Sequence, residues 1–315
     1  MTPEHRKQIA YGLMFVAPAL WAINYLVARS AIDVVAPHLL ALGRWAMAGG
    51  LLLAFTWREV YAKRALIRTE WLHFLTLGAL GMWICGAFVY IGGRTTPATN
   101  ISLIYSVSPV LIALVSTLFL KERMGWVQGA GVALAFGGVL HVIFKGQWSA
   151  AQTVEFTVGD AWIVAAASSW TAYSLLLKVW PSAFGAMARL TLIVLAGVPV
   201  LIPFTLIEAL WFTPTVLSWE GFGLMLAAAV FPGFGAYFAF SYMQRELGAA
   251  RVGVVMYLGP LYAALMSYWV LGEPIRAFHW AGAALILPGI YLATRPMRKE
   301  SAKRAQRTGR SRKVA

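Results

Sequence analysis

The sequence predicts an all-α membrane protein with ten transmembrane helices in two inverted five-helix repeats. Three observations predict it. The 315-residue chain is 60% hydrophobic and only 12% charged, too apolar to cover a soluble surface. Its apolar residues gather into ten segments, each close to the ~20 residues that cross a hydrocarbon core. One stretch also occurs twice: Pro109 to Glu122, PVLIALVSTLFLKE, returns as Pro260 to Glu273, PLYAALMSYWVLGE. The shift of 151 sets Leu120 on Leu271, Gly131 on Gly282 and Gly138 on Gly289. Similarity at half the chain length marks two copies of one unit.

The ten segments run over 8–28, 37–57, 71–93, 98–120, 125–144, 159–177, 188–207, 221–244, 249–271 and 277–294. They divide the chain into a first repeat (1–145), an outer linker (146–158), a second repeat (159–294) and a basic tail (295–315). Segment one could pass for a signal peptide, because Ala28-Arg29-Ser30 weakly resembles a cleavage site. Its central Trp21 has a counterpart in Trp170 of segment six, so it reads as part of the fold.

Positive charge sets the orientation. With both termini cytoplasmic, inner loops and tails hold 21 of the 26 Lys/Arg, and outer loops hold only Arg29, Arg94, Lys145 and Arg276. The remaining one, Arg44, lies inside segment two. Five helices per copy is an odd number, so the second copy enters the bilayer upside down. The Glu122 and Glu273 turns then face opposite sides, and two such units can exchange conformations in alternating access. The net charge of +14 is concentrated in nine Lys/Arg from Arg295 to Lys313. That tail reads as an anchor to an anionic leaflet, with the bilayer rather than a nucleic acid as its partner.

Segment five carries a small-residue ladder at Gly125, Gly129, Ala133 and Gly137, which suits close helix approach. It and its mate, segment ten, read as scaffold, leaving a path between segments one to four and six to nine. Segment four sets Ser102, Tyr105, Ser106 and Pro109 on one helical face. Two readings stand for that face: a cavity wall with a weak point at Pro109, or polar glue whose proline is tolerated by its neighbours. Segment nine places Tyr257 and Pro260 at the matching depth, and segment eight offers Pro232 and Gly233 in a Phe-Pro-Gly-Phe-Gly run. These are gate hinges or passive kinks.

Most of the fourteen tryptophans sit at segment ends, as interfacial belts do, but Trp21, Trp45, Trp83 and Trp170 fall near mid-membrane. An indole N–H there has no lipid partner, so these rings should face the protein interior. Asn24 and Tyr173 follow Trp21 and Trp170 by one turn. Arg44 is either a partner for a substrate carboxylate or a structural, snorkelling or carbonyl-bonded arginine. No Asp or Glu lies mid-segment, and His38, His73, His141 and His279 lie near helix ends. Glu122 and Glu273 read as residues that tie turns. The single Cys85 excludes a disulfide framework and a thiolate metal site.

Ten helices in an inverted repeat, with the Pro…Leu-x-Glu signature of segments four and nine, resemble the EamA-type branch of the drug/metabolite transporter superfamily. The tryptophan of segment one and the run Arg44-Trp45-Ala46-Met47-Ala48-Gly49-Gly50 resemble it too. The density of central aromatics looks most like bacterial aromatic amino acid exporters. That resemblance implies a secondary transporter of the inner membrane that needs no cofactor and exports amino acids. Substrate is then expected among Trp21, Asn24, Trp83, Tyr105, Trp170, Tyr173 and Tyr257, with Pro109, Pro232, Gly233 and Pro260 as hinges. Other metabolites or drugs on the same fold, or a non-transporting scaffold, are the alternatives. A nucleotide-sugar carrier would want two or more buried cations. An intramembrane enzyme would want central catalytic groups, which the segments lack. One chain holds both halves of the repeat, so a monomer suffices for a pathway.

Overall fold

The structure is a computed structural model that describes residues 3–105, 107–119, 125–148, 157–212, 217–247 and 258–294. Among the described residues there is helix and no strand. The first half comprises α1 (Pro3–Ser30), α2 (Pro37–Ala62), α3 (Arg64–Gly78), α4 (Cys85–Gly92), α5 (Ala98–Tyr105), α6 (Ser108–Phe119) and α7 (Trp126–Ile143). The second comprises α8 (Val158–Val179), α9 (Ala186–Trp211), α10 (Trp219–Ala228), α11 (Ala236–Leu247), α12 (Gly259–Met266) and α13 (Ala277–Thr294). Five helical runs are long and apolar enough to cross a membrane: Glu4–Ser30, Pro37–Ala62, Arg64–Gly92, Ala186–Trp211 and Trp219–Met243. Shorter apolar helices cover Ala98–Ile112, Trp126–Val142, Leu261–Leu271 and Ala277–Gly289.

Local chemistry explains where helices start and break. Thr157 and Ser218 cap α8 and α10, their hydroxyls accepting from the backbone N–H of Asp160 (3.2 Å) and Gly221 (3.0 Å). Pro37 opens α2, where a missing N–H costs nothing. Pro109 acts differently. It cannot donate to the carbonyl four residues back, at Tyr105, and the segment divides there into α5 and α6. The Ser108 hydroxyl donates to that same Tyr105 carbonyl at 2.7 Å, so the break is satisfied internally.

Two π-helical segments interrupt the third and eighth predicted spans, at Ala79–Ile84 and Ala229–Gly235. Under the shift of 151, positions 78–84 correspond to 229–235, so both copies widen at one place. Pro232 supplies a local cause in the second copy, since its lacking N–H disturbs the α-helical ladder. The first copy has no proline there. Instead its glycines admit neighbours: a Cβ at Gly81 would lie 3.0 Å from the Tyr173 ring, and one at Gly78 2.6 Å from the Gly197 nitrogen. π-Bulges of this kind recur at functional sites.

Packing obeys an exchange of the two halves. α7 lies along α13 and α2 along α9, each against its own repeat mate. α1 packs on α11 and α12, and its mate α8 packs on α4 and α6. At the α7–α13 seam the helix backbones come close together. A Cβ at Gly289 would lie 2.6 Å from the Ala135 nitrogen and 2.8 Å from the Gly131 carbonyl oxygen, and one at Gly138 2.7 Å from Ile286. This corrects the ladder expected from spacing: Gly129 and Gly137 meet nothing within 4 Å. The contact runs along the face of Gly131, Ala135 and Gly138 instead, two of which are the repeat-matched glycines. Regular i+4 spacing defines a face but cannot say which face a neighbour covers.

Candidate functional site

A cavity of about 140 Å³ is lined by residues of α1, α2, the first π segment, α4, α5, α6, α8, α11 and α12. Its wall is largely aromatic: Trp21 and Tyr25 from α1, Trp45 from α2, Tyr105 from α5, Trp170 from α8 and Tyr237 from α11. Gly86 and Tyr237 both line it, as do Ser108 and Gly259, and each pair is 151 residues apart. Equivalent positions of the two copies therefore meet here, at the join of the halves.

The rings brace one another. Trp21 meets Tyr237 edge-on at 5.8 Å and Phe240 at 5.4 Å between centroids, and Trp45 also meets Tyr237 edge-on at 6.4 Å. Tyr25 and Tyr105 approach to 6.4 Å. The Tyr105 hydroxyl shares a hydrogen bond with Cys85 Sγ. Edge-on and tilted pairs hold ring faces at fixed angles, each worth about 0.5–1.5 kcal/mol beyond the area buried.

Of the residues expected from the sequence, Trp21, Asn24, Tyr105 and Trp170 line this cavity. Tyr173 is buried behind it, stacked on Trp170 with centroids 5.1 Å apart. Trp83 does not line the cavity: its ring stacks on Phe204 of α9 at 3.8 Å and meets Phe88 edge-on. Its indole N–H is buried without a partner. Tyr257 lies outside the described residues. Pro232 and Gly233 are buried within the second π segment, and Pro109 and Pro260 stand in the first turns of α6 and α12.

Sequence spacing missed Tyr25, Cys85 and Tyr237, and left Arg44 and Trp45 unassigned. The repeat held a signal for one of them, because Tyr237 occupies the position that matches Gly86 across the halves. Arg44 is 5% exposed, and its hydrogen bonds run to side chains inside the protein. Its Nη1 donates to Asn24 Oδ1 at 2.7 Å and to the Tyr90 hydroxyl oxygen at 3.0 Å. Tyr90 in turn donates to Asn24 Oδ1 at 2.8 Å. The guanidinium carbon lies 4.2 Å from the centroid of the Trp45 ring.

Hydrogen bonds tie together one end of the helices that surround the cavity. Arg29, at the end of α1, donates to Glu273 Oε1 at 2.7 Å and to the Gly93 carbonyl at 2.7 Å. Glu273 Oε2 accepts from the backbone N–H of Ala98 at 3.0 Å and from the Ser267 hydroxyl. Gly272 (φ 66°) adopts the left-handed turn that points the following Glu273 back at these donors, a conformation costly for residues with a Cβ. Glu273 thus ties turns, as its place in the sequence suggests, while Glu122 lies outside the described residues. His279 bridges to Asn100 Oδ1 at 2.9 Å on the same side. Among the described residues no cluster of His, Cys, Asp or Glu could hold a metal.

An all-helical, repeat-built membrane protein with a cavity between its halves is of the transporter class. The chain belongs to the EamA-like transporter family, whose model matches it twice, over residues 8–144 and 157–295. An uncharacterised transporter of Archaeoglobus fulgidus is 26% identical over 90% of this chain and 96% of its own length. The uncharacterised transporter YyaM of Bacillus subtilis is 25% identical over 86% and 88%. A crystal structure 20% identical to this chain shares the fold, with a TM-score of 0.61 over 90% of this chain and 96% of that one.

Proposed function

We propose that this protein is a secondary transporter that exports amino acids, aromatic ones foremost, across the bacterial inner membrane by alternating access. The observation that carries the reading is the aromatic-walled cavity at the join of the two halves. Ring faces at Trp21, Tyr105 and Trp170 suit a planar apolar side chain, and Asn24 suits its polar end. Tyr173 supports Trp170 from behind, and Trp83 braces the π segment through Phe204. Tyr257 completes the expected set.

Ten spans in inverted halves, with both termini cytoplasmic, supply the exchange that alternating access needs. The break at Pro109, the mate position Pro260, and Pro232 with Gly233 in the π segment are the points that bend. Under this reading the Arg29–Glu273 tie closes the outer end, and the cavity is reached from the cytoplasm.

Inside-out vesicles bearing the protein should accumulate or exchange labelled tryptophan faster than vesicles without it. Equal flux in the two would overturn the reading.

A further inference from the structure

We propose that Arg44 is the substrate-recognition residue of this cavity, and that the obligatory feature of the substrate is a carboxylate rather than an ammonium group. The inference rests on the cavity being the transport site and adds what that site selects.

A guanidinium is a permanent cation with only donors to offer. Inside a membrane protein such a charge is costly unless an anion or a set of oxygens compensates it. Arg44 is buried, yet among the described residues no carboxylate lies within ion-pair distance of it. Its acceptors are two neutral oxygens, both on Nη1, and its Nε is buried without any partner. The charge is held in place but not neutralised.

The neighbouring polar groups point to the same ligand. Asn24 Oδ1 is engaged by both Arg44 and Tyr90, which leaves Asn24 its amide N–H groups as the free hydrogen-bonding function. Trp45 and Ser102 also line the cavity, and Trp45 Nε1 and Ser102 Oγ are buried without partners. Three of these four groups can only donate, and among the described residues the cavity lining contains no carboxylate to receive an ammonium. Unmet donors beside one uncompensated positive charge complement a monoanion that brings acceptors. A phosphate dianion would need a second cation, and among the described residues Arg44 is the only Lys or Arg in the lining. An ammonium finds ring faces and neutral hydroxyl oxygens such as Ser102 Oγ, a weaker attraction than the charge-assisted bonds that Arg44 offers a carboxylate.

Thermal stabilisation of the purified full-length chain in lipid nanodiscs tests this with three ligands that share one ring: tryptophan, tryptamine and indole-3-propionate. Indole-3-propionate should stabilise at a concentration within about threefold of tryptophan, while tryptamine should need about 30-fold more, the cost of one lost bond to a charged group. Arg44→Met should weaken tryptophan and indole-3-propionate by a similar factor and leave tryptamine unchanged. Arg44→Lys should recover part of the loss. If Arg44→Met fails to fold, the three-ligand comparison on the unsubstituted chain decides alone. Tryptamine as effective as tryptophan would overturn the role of Arg44 while leaving an aromatic transport site intact. No stabilisation by any of the three would overturn the aromatic reading itself, and this inference with it.

Discussion

The α7–α13 seam and the aromatic cavity both join the first half of the chain to the second, yet they are built on opposite chemistry. The seam is made of glycine and alanine, brings backbones into contact, and leaves no room for a Cβ at Gly289 or Gly138. The cavity is made of large rings and an arginine, keeps a void, and leaves buried donors without partners. Helices in lipid gain little from hiding apolar surface from one another, so close packing of small residues is what holds such a join. A join that forgoes that packing and buries unmet polar groups lowers its own stability. The contrast teaches that the seam is where the halves are held, while the cavity is the place that the proposed function assigns to substrate.

Five substitutions break or sharpen the contrast. The largest effect is expected at the seam. Gly289→Leu forces a side chain into the Ala135 and Gly131 backbone, where overpacking costs about 1–3 kcal/mol or more. Thermal unfolding should fall by several degrees or more and the yield of folded chain should drop, with ligand binding per folded molecule unchanged.

Next come the rings of the cavity. Trp21→Ala and Trp170→Ala should each weaken tryptophan binding by about tenfold, some 1.4 kcal/mol, while membrane insertion stays near that of the parent. Unchanged transport kinetics in vesicles would return these rings to mere packing. Ser108→Ala removes the hydroxyl that satisfies the Tyr105 carbonyl beside Pro109. A loss of about 1 kcal/mol in stability is expected, with faster hydrogen exchange confined to α5 and α6. The smallest effect carries the opposite sign. Gly129→Ala adds a methyl where nothing lies within 4 Å, and should raise stability by about 0.5–1 kcal/mol through helix propensity. Destabilisation there would mean that the original ladder does face a partner.

The tie at Glu273 divides the two ends of the cavity helices as well. Glu273→Ala removes acceptors from Arg29, Ala98 and Ser267 together. Cysteine labels placed beside the cavity should then react faster from that side.

Individual residues show how much could be read without coordinates. Trp21 and Trp170 were legible because a mid-membrane indole has few places to go, and Asn24 because it shares the face of Trp21. Glu273 was legible as a turn residue because it closes a repeated signature. Trp83 passed the same depth test as Trp21 and yet stacks on Phe204, since depth along a helix says nothing of azimuth. Tyr237 and Tyr25 went unseen for the same reason.

Composition, apolar segment length and the repeated stretch are properties of the chain read in one dimension. They determined an all-helical membrane protein made of two like halves, because bilayer thickness and backbone satisfaction leave few alternatives. Which helix faces meet is a matter of rotation about each axis, and only the packed structure decided it. The repeat-matched glycines touch while the regular ladder does not, and Arg44 turns inward to a cavity rather than outward to water. Packing also chose which polar groups are left without partners, because a donor is unmet only relative to every neighbour around it at once.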